Sequence, residues 1–228
     1  MLVTVLGSCR QYGIRHHFPT TSVQEDISYT HYTKEILQVI YYCKYGNVNP
    51  EETIYTFRSP ILHKTPIIHN TRLLSEFNTT KLFIIEIASK KSYKYNDKYL
   101  HGIAIEEKYG VSIRNDIIQT IQTKEEIEQD ILKMNELLDG KIIIVGHLVT
   151  TNSGERFILK EWLEEICRRH KILFIDPISA LKKEFNNIEE FFVKEDNLSH
   201  YTDAGHAAIG KIYRDFIINN FLKRAQGQ

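Results

Sequence analysis

Leu2-Val3-Thr4-Val5-Leu6-Gly7-Ser8-Cys9-Arg10 is the stretch on which the fold turns. Apolar and β-branched residues run without a break and stop at a glycine. Such a run reads as a strand buried on both faces, the habit of parallel sheets. Gly7 permits a tight turn at the strand's carboxyl end, and that edge of an open α/β sheet is where ligands bind. Ser8 is therefore expected at the mouth of a crevice, with its backbone N–H open to an incoming oxygen.

Three further runs repeat the pattern: Lys81–Ser89, Lys141–His147 and Lys171–Pro177. Amphipathic stretches separate them. Ile36, Leu37, Val39, Ile40 and Cys43 recur at helical spacing, and Gly46-Asn47 ends that helix. Thr123-Lys124-Glu125-Glu126 has capping-box spacing and opens a helix through Ile127, Ile131, Met134, Leu137 and Leu138, closed by Gly140. Arg156 to His170, 178–185 and 204–224 also read as helices. Thr53-Ile54-Tyr55-Thr56-Phe57 alternates and reads as a short strand. Pro60 and Pro66 punctuate an irregular segment, and 94–122, rich in Tyr, Lys and Asn, reads as a small hairpin or an extended insertion. Strands alternating with helices predict a three-layer α/β/α sandwich around a mainly parallel sheet, one domain over 1–228 with an insertion at about 94–122.

Twenty-nine basic side chains balance 29 acidic ones, so bulk charge draws the chain neither to nucleic acid nor to an anionic membrane. Cys9, Cys43 and Cys167 are widely spaced and odd in number; they form no disulfide framework and no metal pair, and a reducing compartment fits them. No stretch approaches the roughly 18–20 apolar residues of a membrane span. The first apolar run lacks a basic leader and reads as a strand rather than a signal peptide. These features predict a soluble cytoplasmic protein with no nucleic-acid and no membrane partner.

A serine hydroxyl needs an imidazole to activate it, and the imidazole needs an orienting group. Glu195-Asp196-Asn197-Leu198-Ser199-His200-Tyr201-Thr202-Asp203-Ala204-Gly205-His206 offers both, between the last strand and the last helix. A serine after the first strand and this loop can meet above a parallel sheet. Each residue also has a plainer reading: Ser8 as a turn or N-cap serine, His200 as a loop histidine, Asp196 as a solvated acid. Cys9 reads as a small buried thiol beside the strand. His147 ends the third long run at the edge that would line a cleft. Glu86, at the end of an apolar run, reads as a buried, paired acid. Arg10 either binds a substrate anion, pairs with an acid or lies on the surface, and Lys90-Lys91 reads as a solvated loop. His16, His17, His31 and His147 fit no compact metal motif, so no metal is assigned.

Gly7-Ser8-Cys9 after the first strand resembles the first block of the SGNH (GDSL-type) hydrolase superfamily, where Gly-Asp-Ser places the nucleophile. His200-Tyr201-Thr202-Asp203-Ala204-Gly205 resembles its last block, in which Asp-x-x-His is followed five residues later by glycine and a helix. Within the superfamily the chain is similar to a divergent branch associated with polysaccharide biosynthesis. The resemblance implies a flavodoxin-like SGNH fold and a serine esterase or O-acyl (acetyl) transferase acting on an esterified carbohydrate. Ser8 is then the nucleophile and an oxyanion donor, and His200 the base. The position of the family's acid holds Asn197, with Asp196 one residue earlier, so either orients the imidazole; Asp203-x-x-His206 also matches the short pattern. The family's Gly-x-Asn is missing, and Ser89 stands where its donor would be. The glycine after the second strand has no clear match; the loop near Arg58-Ser59-Pro60 is the equivalent region. Arg10, His147 and Asn197 are the implied substrate contacts. No cofactor is implied, except acetyl-CoA for a transferase. The alternative is a non-catalytic module that holds acyl-CoA or a nucleotide in the same cleft.

Overall fold

The computed structural model describes residues 1–27, 29–196 and 200–222. In chain order its strands are β1 (Val3–Leu6), β2 (Leu82–Ile87), β3 (Lys91–Tyr95), β4 (Lys98–Tyr99), β5 (Ile118–Ile121), β6 (Ile142–Gly146) and β7 (Leu173–Ile175). Its helices are α1 (Val23–Asp26), α2 (Thr33–Tyr45), α3 (Pro50–Thr56), α4 (Arg58–His63), α5 (Thr71–Thr79), α6 (Lys124–Leu137), α7 (Glu155–Arg169), α8 (Pro177–Glu184) and α9 (Asp203–Ile217). The four apolar runs pair as a parallel sheet in the order β1-β2-β6-β7.

Alternation along the strands builds two cores. Leu6, Phe83, Ile85, Ile87, Ile142 and Ile144 face α2, α5, α6 and α7. Val3, Val5, Leu82, Ile84, Ile143, Val145 and Ile175 face α8 and α9. Both faces are covered, which explains why the strands read as continuous apolar runs. The architecture is the expected three-layer α/β/α sandwich. Glu86 continues the Leu82–Ile84 face, so its side chain lies on the α9 side at the carboxyl edge.

One local expectation needs correction. Thr53–Phe57 is not a strand but belongs largely to α3. Pro50 pre-sets the first helical residue, and the Glu52 carboxylate accepts from the Asn49 N–H. The hydroxyls of Thr53 and Thr56 donate to the carbonyls of Pro50 and Glu52, so β-branched residues serve a helix by bonding back to it. The insertion is larger than a hairpin. Strand β3 pairs antiparallel with both β4 and β5, and short 3₁₀ turns over 102–116 connect the last two. Helices α4 and α5 fill the stretch around Pro60 and Pro66 that sequence left irregular.

A 3₁₀ helix, Cys9–His16, follows β1 and lies against α9. The crossing is glycine on glycine: a Cβ on Gly13 would overlap the carbonyl oxygen of His206, and one on Gly210 the carbonyl of Gly13. Gly210→Ala must therefore push α9 off the helix that carries Ser8. The expected loss is about 1–3 kcal/mol, read as a lowered Tm; an unchanged Tm would contradict the packing.

Candidate active site

Ser8 lies at the carboxyl end of β1, 2% exposed. Gly7 is a glycine for a different reason from the one its sequence position gives. Its backbone is not left-handed. Leu6 pairs with Ile85, which sets Gly7 beside Glu86, and a Cβ there would come within 2.7 Å of the Glu86 Cβ. The missing side chain makes room for the carboxylate.

Glu86 is fully buried and organises the site. Its Oε2 accepts from the Ser8 hydroxyl at 2.5 Å and from the Ser8 backbone N–H at 2.9 Å. Its Oε1 lies 3.0 Å from His147 Nδ1 and 3.9 Å from an Arg10 nitrogen. Arg10, also buried, donates from Nη1 to Ser8 Oγ at 2.8 Å. Gln24 donates its amide to the carbonyls of Gly7 and Ser8, which fixes the turn. Ser8 thus caps the 3₁₀ helix, as the plainer reading has it, and at the same time sits in a charged cluster.

Burial pushes the Glu86 carboxyl up, but the bond and charge of His147, the charge of Arg10 and the Ser8 hydroxyl together hold it well below the usual carboxylate range. Glu86 is ionised and a poor proton acceptor. Burial lowers His147 more than Glu86 raises it, so its imidazole is neutral at pH 7, with Nδ1–H directed at Glu86 and Nε2 buried without a partner. His31 is drawn down to about 4, chiefly by burial, and feels the charges of Glu86, Arg10 and His147. His101, ring to ring with His31 at 4.9 Å, is likewise held well below the usual imidazole value, chiefly by burial.

These three imidazoles set an acid limit. Their folded values lie below the ordinary value of about 6.5, so the unfolded chain takes up protons that the folded chain refuses. Their contribution to stability is full above about pH 6.5 and falls as pH drops toward about 4, the folded value of His31, while the buried Glu35 carboxyl, pushed up by burial, works in the opposite sense. Below the ordinary carboxylate range Glu86 adds to the loss, because its folded value is depressed. Urea midpoints of wild type and His31→Phe across this range isolate the histidine part; the same pH slope in both would contradict it.

The loop bearing His200 runs over the same side of the sheet. Val193 N–H donates to the His200 carbonyl and Thr202 N–H to that of Phe191. Tyr201 stacks on Phe192 and lies near enough to Glu86 and Arg10 to feel their charges. His206 packs between Tyr12 and Tyr201. His200 itself is exposed. Asp196 ends a 3₁₀ turn, Lys194–Asp196, and Asn197 lies outside the described residues.

Of the residues read from sequence, the fold brings Ser8, Arg10 and His147 into one cluster around Glu86. The hydroxyl of Ser8 donates to Glu86 and accepts from Arg10. The expected opening at the Ser8 N–H is filled, because Glu86 reaches it from the neighbouring strand. Ser89 is turned elsewhere: its Oγ accepts from the Lys91 N–H. Cys9 is half-buried rather than packed in the core, since it begins the 3₁₀ helix instead of ending the strand. Lys91 opens β3 and Lys90 lies over the Trp162 ring, so this pair is no free loop. Sequence reading gave His31 and His101 no role at the site; isolated histidines in a loop and beside a turn carry no spacing signal.

Among the described residues no cluster of His, Cys, Asp or Glu is built to hold a metal, and no helix is long and apolar enough to cross a membrane. No family model matches the chain and no curated protein matches it. Solved structures share its chain path distantly. A catalytic mutant of Axe2, an acetylxylan esterase from Geobacillus stearothermophilus, is 9% identical with a TM-score of 0.42, over 93% of this chain and 91% of that one. Another Axe2 mutant, described as an acetyl-xylooligosaccharide esterase, is 12% identical at 0.42 over the same shares. The Bacillus subtilis protein YXIM is 9% identical at 0.41, over 96% of this chain and 56% of its own. At these levels the likenesses carry no argument about the reaction.

Proposed function

We propose that the chain is a serine-dependent ester hydrolase or O-acyl transferase of the SGNH type, acting on an acylated carbohydrate. One observation carries the reading: a buried serine at the carboxyl edge of β1 receives a hydrogen bond from a buried guanidinium, whose charge also reaches Tyr201, the neighbour of His200. Arg10 stabilises negative charge on Ser8 Oγ, which favours the alkoxide and the oxyanion formed from it. Glu86 is too acidic to keep the proton, so an imidazole must take it. In this reading substrate turns the Ser8 hydroxyl from Glu86 to His200, which Asp196 orients. Ser8 attacks the ester carbonyl, His200 returns the proton to the leaving alcohol, and water or a sugar hydroxyl takes the acyl group. With the Ser8 N–H engaged by Glu86, the Arg10 guanidinium is the nearest oxyanion donor. His200→Ala should lower the rate of p-nitrophenyl acetate hydrolysis by about a hundredfold or more while the fold persists; a wild-type rate would sink the assignment.

A second reading is favoured by a specific feature. Lys90, Lys91 and Arg156 line a cavity of about 250 Å3 next to Ala88 and Ser89, which suits the phosphates of acyl-CoA or a nucleotide. Thermal stabilisation by CoA, with no Ser8 chemistry, would favour a holding role over catalysis.

A further inference from the structure

Strand β5 is an unguarded edge. All of its residues are exposed, Ile118 at 63% and Ile121 at 50%. From Ile117 to Gln122 the chain carries no charge and no proline. An open edge invites another strand, and proteins guard such edges with cover, brevity or charge. The other edges of the two sheets are guarded in these ways. Outside β1, the Val3 N–H donates to the Pro19 carbonyl and the Val3 carbonyl accepts from Thr21. Strand β7 is three residues long, and Asp176 at its end lies 3.8 Å from Lys160. Strand β4 is two residues long, and one of them is Lys98.

The ladder shows which groups of β5 are open. The Gln122 N–H donates to the Lys90 carbonyl, and the Tyr93 carbonyl accepts from Leu100 on the β4 side. Tyr93 stands opposite Gln119. Antiparallel alternation therefore turns the main-chain groups of Ile118, Thr120 and Gln122 toward β3, and those of Gln119 and Ile121 outward. Among the described residues, none outside the strand bonds these outward groups of Gln119 and Ile121. Ile117, just before the strand, is extended as well.

A second copy of the same strand fits this edge. Antiparallel pairing about a two-fold axis sets each residue opposite the one equally far from the axis. With the axis at Gln119, that residue meets Gln119 of the second copy, and Ile117 and Ile121 meet each other. These are the outward residues, so each pair exchanges its N–H···O bonds. Ile118 and Thr120 form the intervening pairs, where side chains lie closer. A carboxamide both donates and accepts, so Gln119 can bond its own copy. No like charges face each other within the strand, and a chain of zero formal net charge does not repel its copy. Main-chain bonds alone accept any strand; the matched isoleucines and the self-pairing glutamine favour this one. We infer that β5 joins two copies of the chain edge to edge, so that their insertions form one continuous sheet. The inference is independent of the proposed activity.

A contact built on one short strand fits a weak dimer, with a Kd roughly in the micromolar range. Sedimentation velocity of the full chain from about 1 to 100 μM tests it. A shift from monomer to dimer across that range is expected. Gln119→Lys sets like charges against each other on the axis and should raise the Kd by about tenfold or more. Gln119→Pro removes an N–H that points away from β3 and should weaken the dimer while the β3–β5 ladder keeps its bonds. Circular dichroism confirms that each variant is folded, and Gln119→Lys, a change at an exposed side chain, decides alone if Gln119→Pro is not. A chain that stays monomeric throughout, or a folded Gln119→Lys that dimerises as wild type does, overturns the inference.

Discussion

Ser8→Ala should lower kcat for p-nitrophenyl acetate by about a thousandfold or more. The substitution deletes the atom that would form the acyl-enzyme bond, and nothing nearby replaces it. Cys9 is the adjacent nucleophile, but burial pushes its thiol up, away from the reactive thiolate. The variant should still fold. Ser8 gives up one hydroxyl bond to Glu86 and one from Arg10, while its backbone N–H keeps the carboxylate. A loss of activity with unchanged circular dichroism and Tm would therefore belong to chemistry. A rate equal to wild type would mean that the hydrolysis arises elsewhere.

Glu86→Ala should be the most destabilising substitution in the sheet, by about 3–5 kcal/mol. The carboxylate is fully buried and is shared by Ser8, His147 and Arg10. Its removal takes the facing carboxylate from a guanidinium that is 9% exposed and the acceptor from three hydrogen-bond donors, the Ser8 N–H, the Ser8 hydroxyl and His147 Nδ1–H. Glu86→Gln should cost less, because an amide oxygen still accepts from the Ser8 N–H, although the Glu86 charge no longer faces Arg10. The ordering of the two variants in urea denaturation separates buried-charge pairing from simple packing. A loss below about 1 kcal/mol for Glu86→Ala would show that Arg10 finds another anion or water, and the cluster would lose its organising role.

The parallel sheet was legible because continuous apolar runs admit little else, and the helix after Thr123 because its cap and periodicity agree. The three-layer sandwich follows from those two signals. Thr53–Phe57 misled because β-branched alternation looks the same whether hydroxyls point across a sheet or back onto a helix; Asn49, Pro50 and Glu52 were the stronger signal. Ser8, Arg10 and His147 were found because each lies at the end of a strand. The opening at the Ser8 N–H was not, because its occupant comes from 78 residues away and only the β1–β2 register brings Glu86 beside Gly7. Two signs of that pairing were present in the sequence: an acid inside an apolar strand, and a glycine at the matching position of its neighbour. His101 left no comparable mark, since its burial depends on how the β3–β5 insertion folds back.

The most direct measurement is reaction with a fluorophosphonate followed by mass spectrometry of the intact and digested protein. A nucleophilic Ser8 predicts a single adduct on the Ser8 peptide, missing from Ser8→Ala and slowed strongly in His200→Ala. A chain that stays unlabelled, or carries its adduct on another residue, would contradict the assignment of Ser8 as the nucleophile.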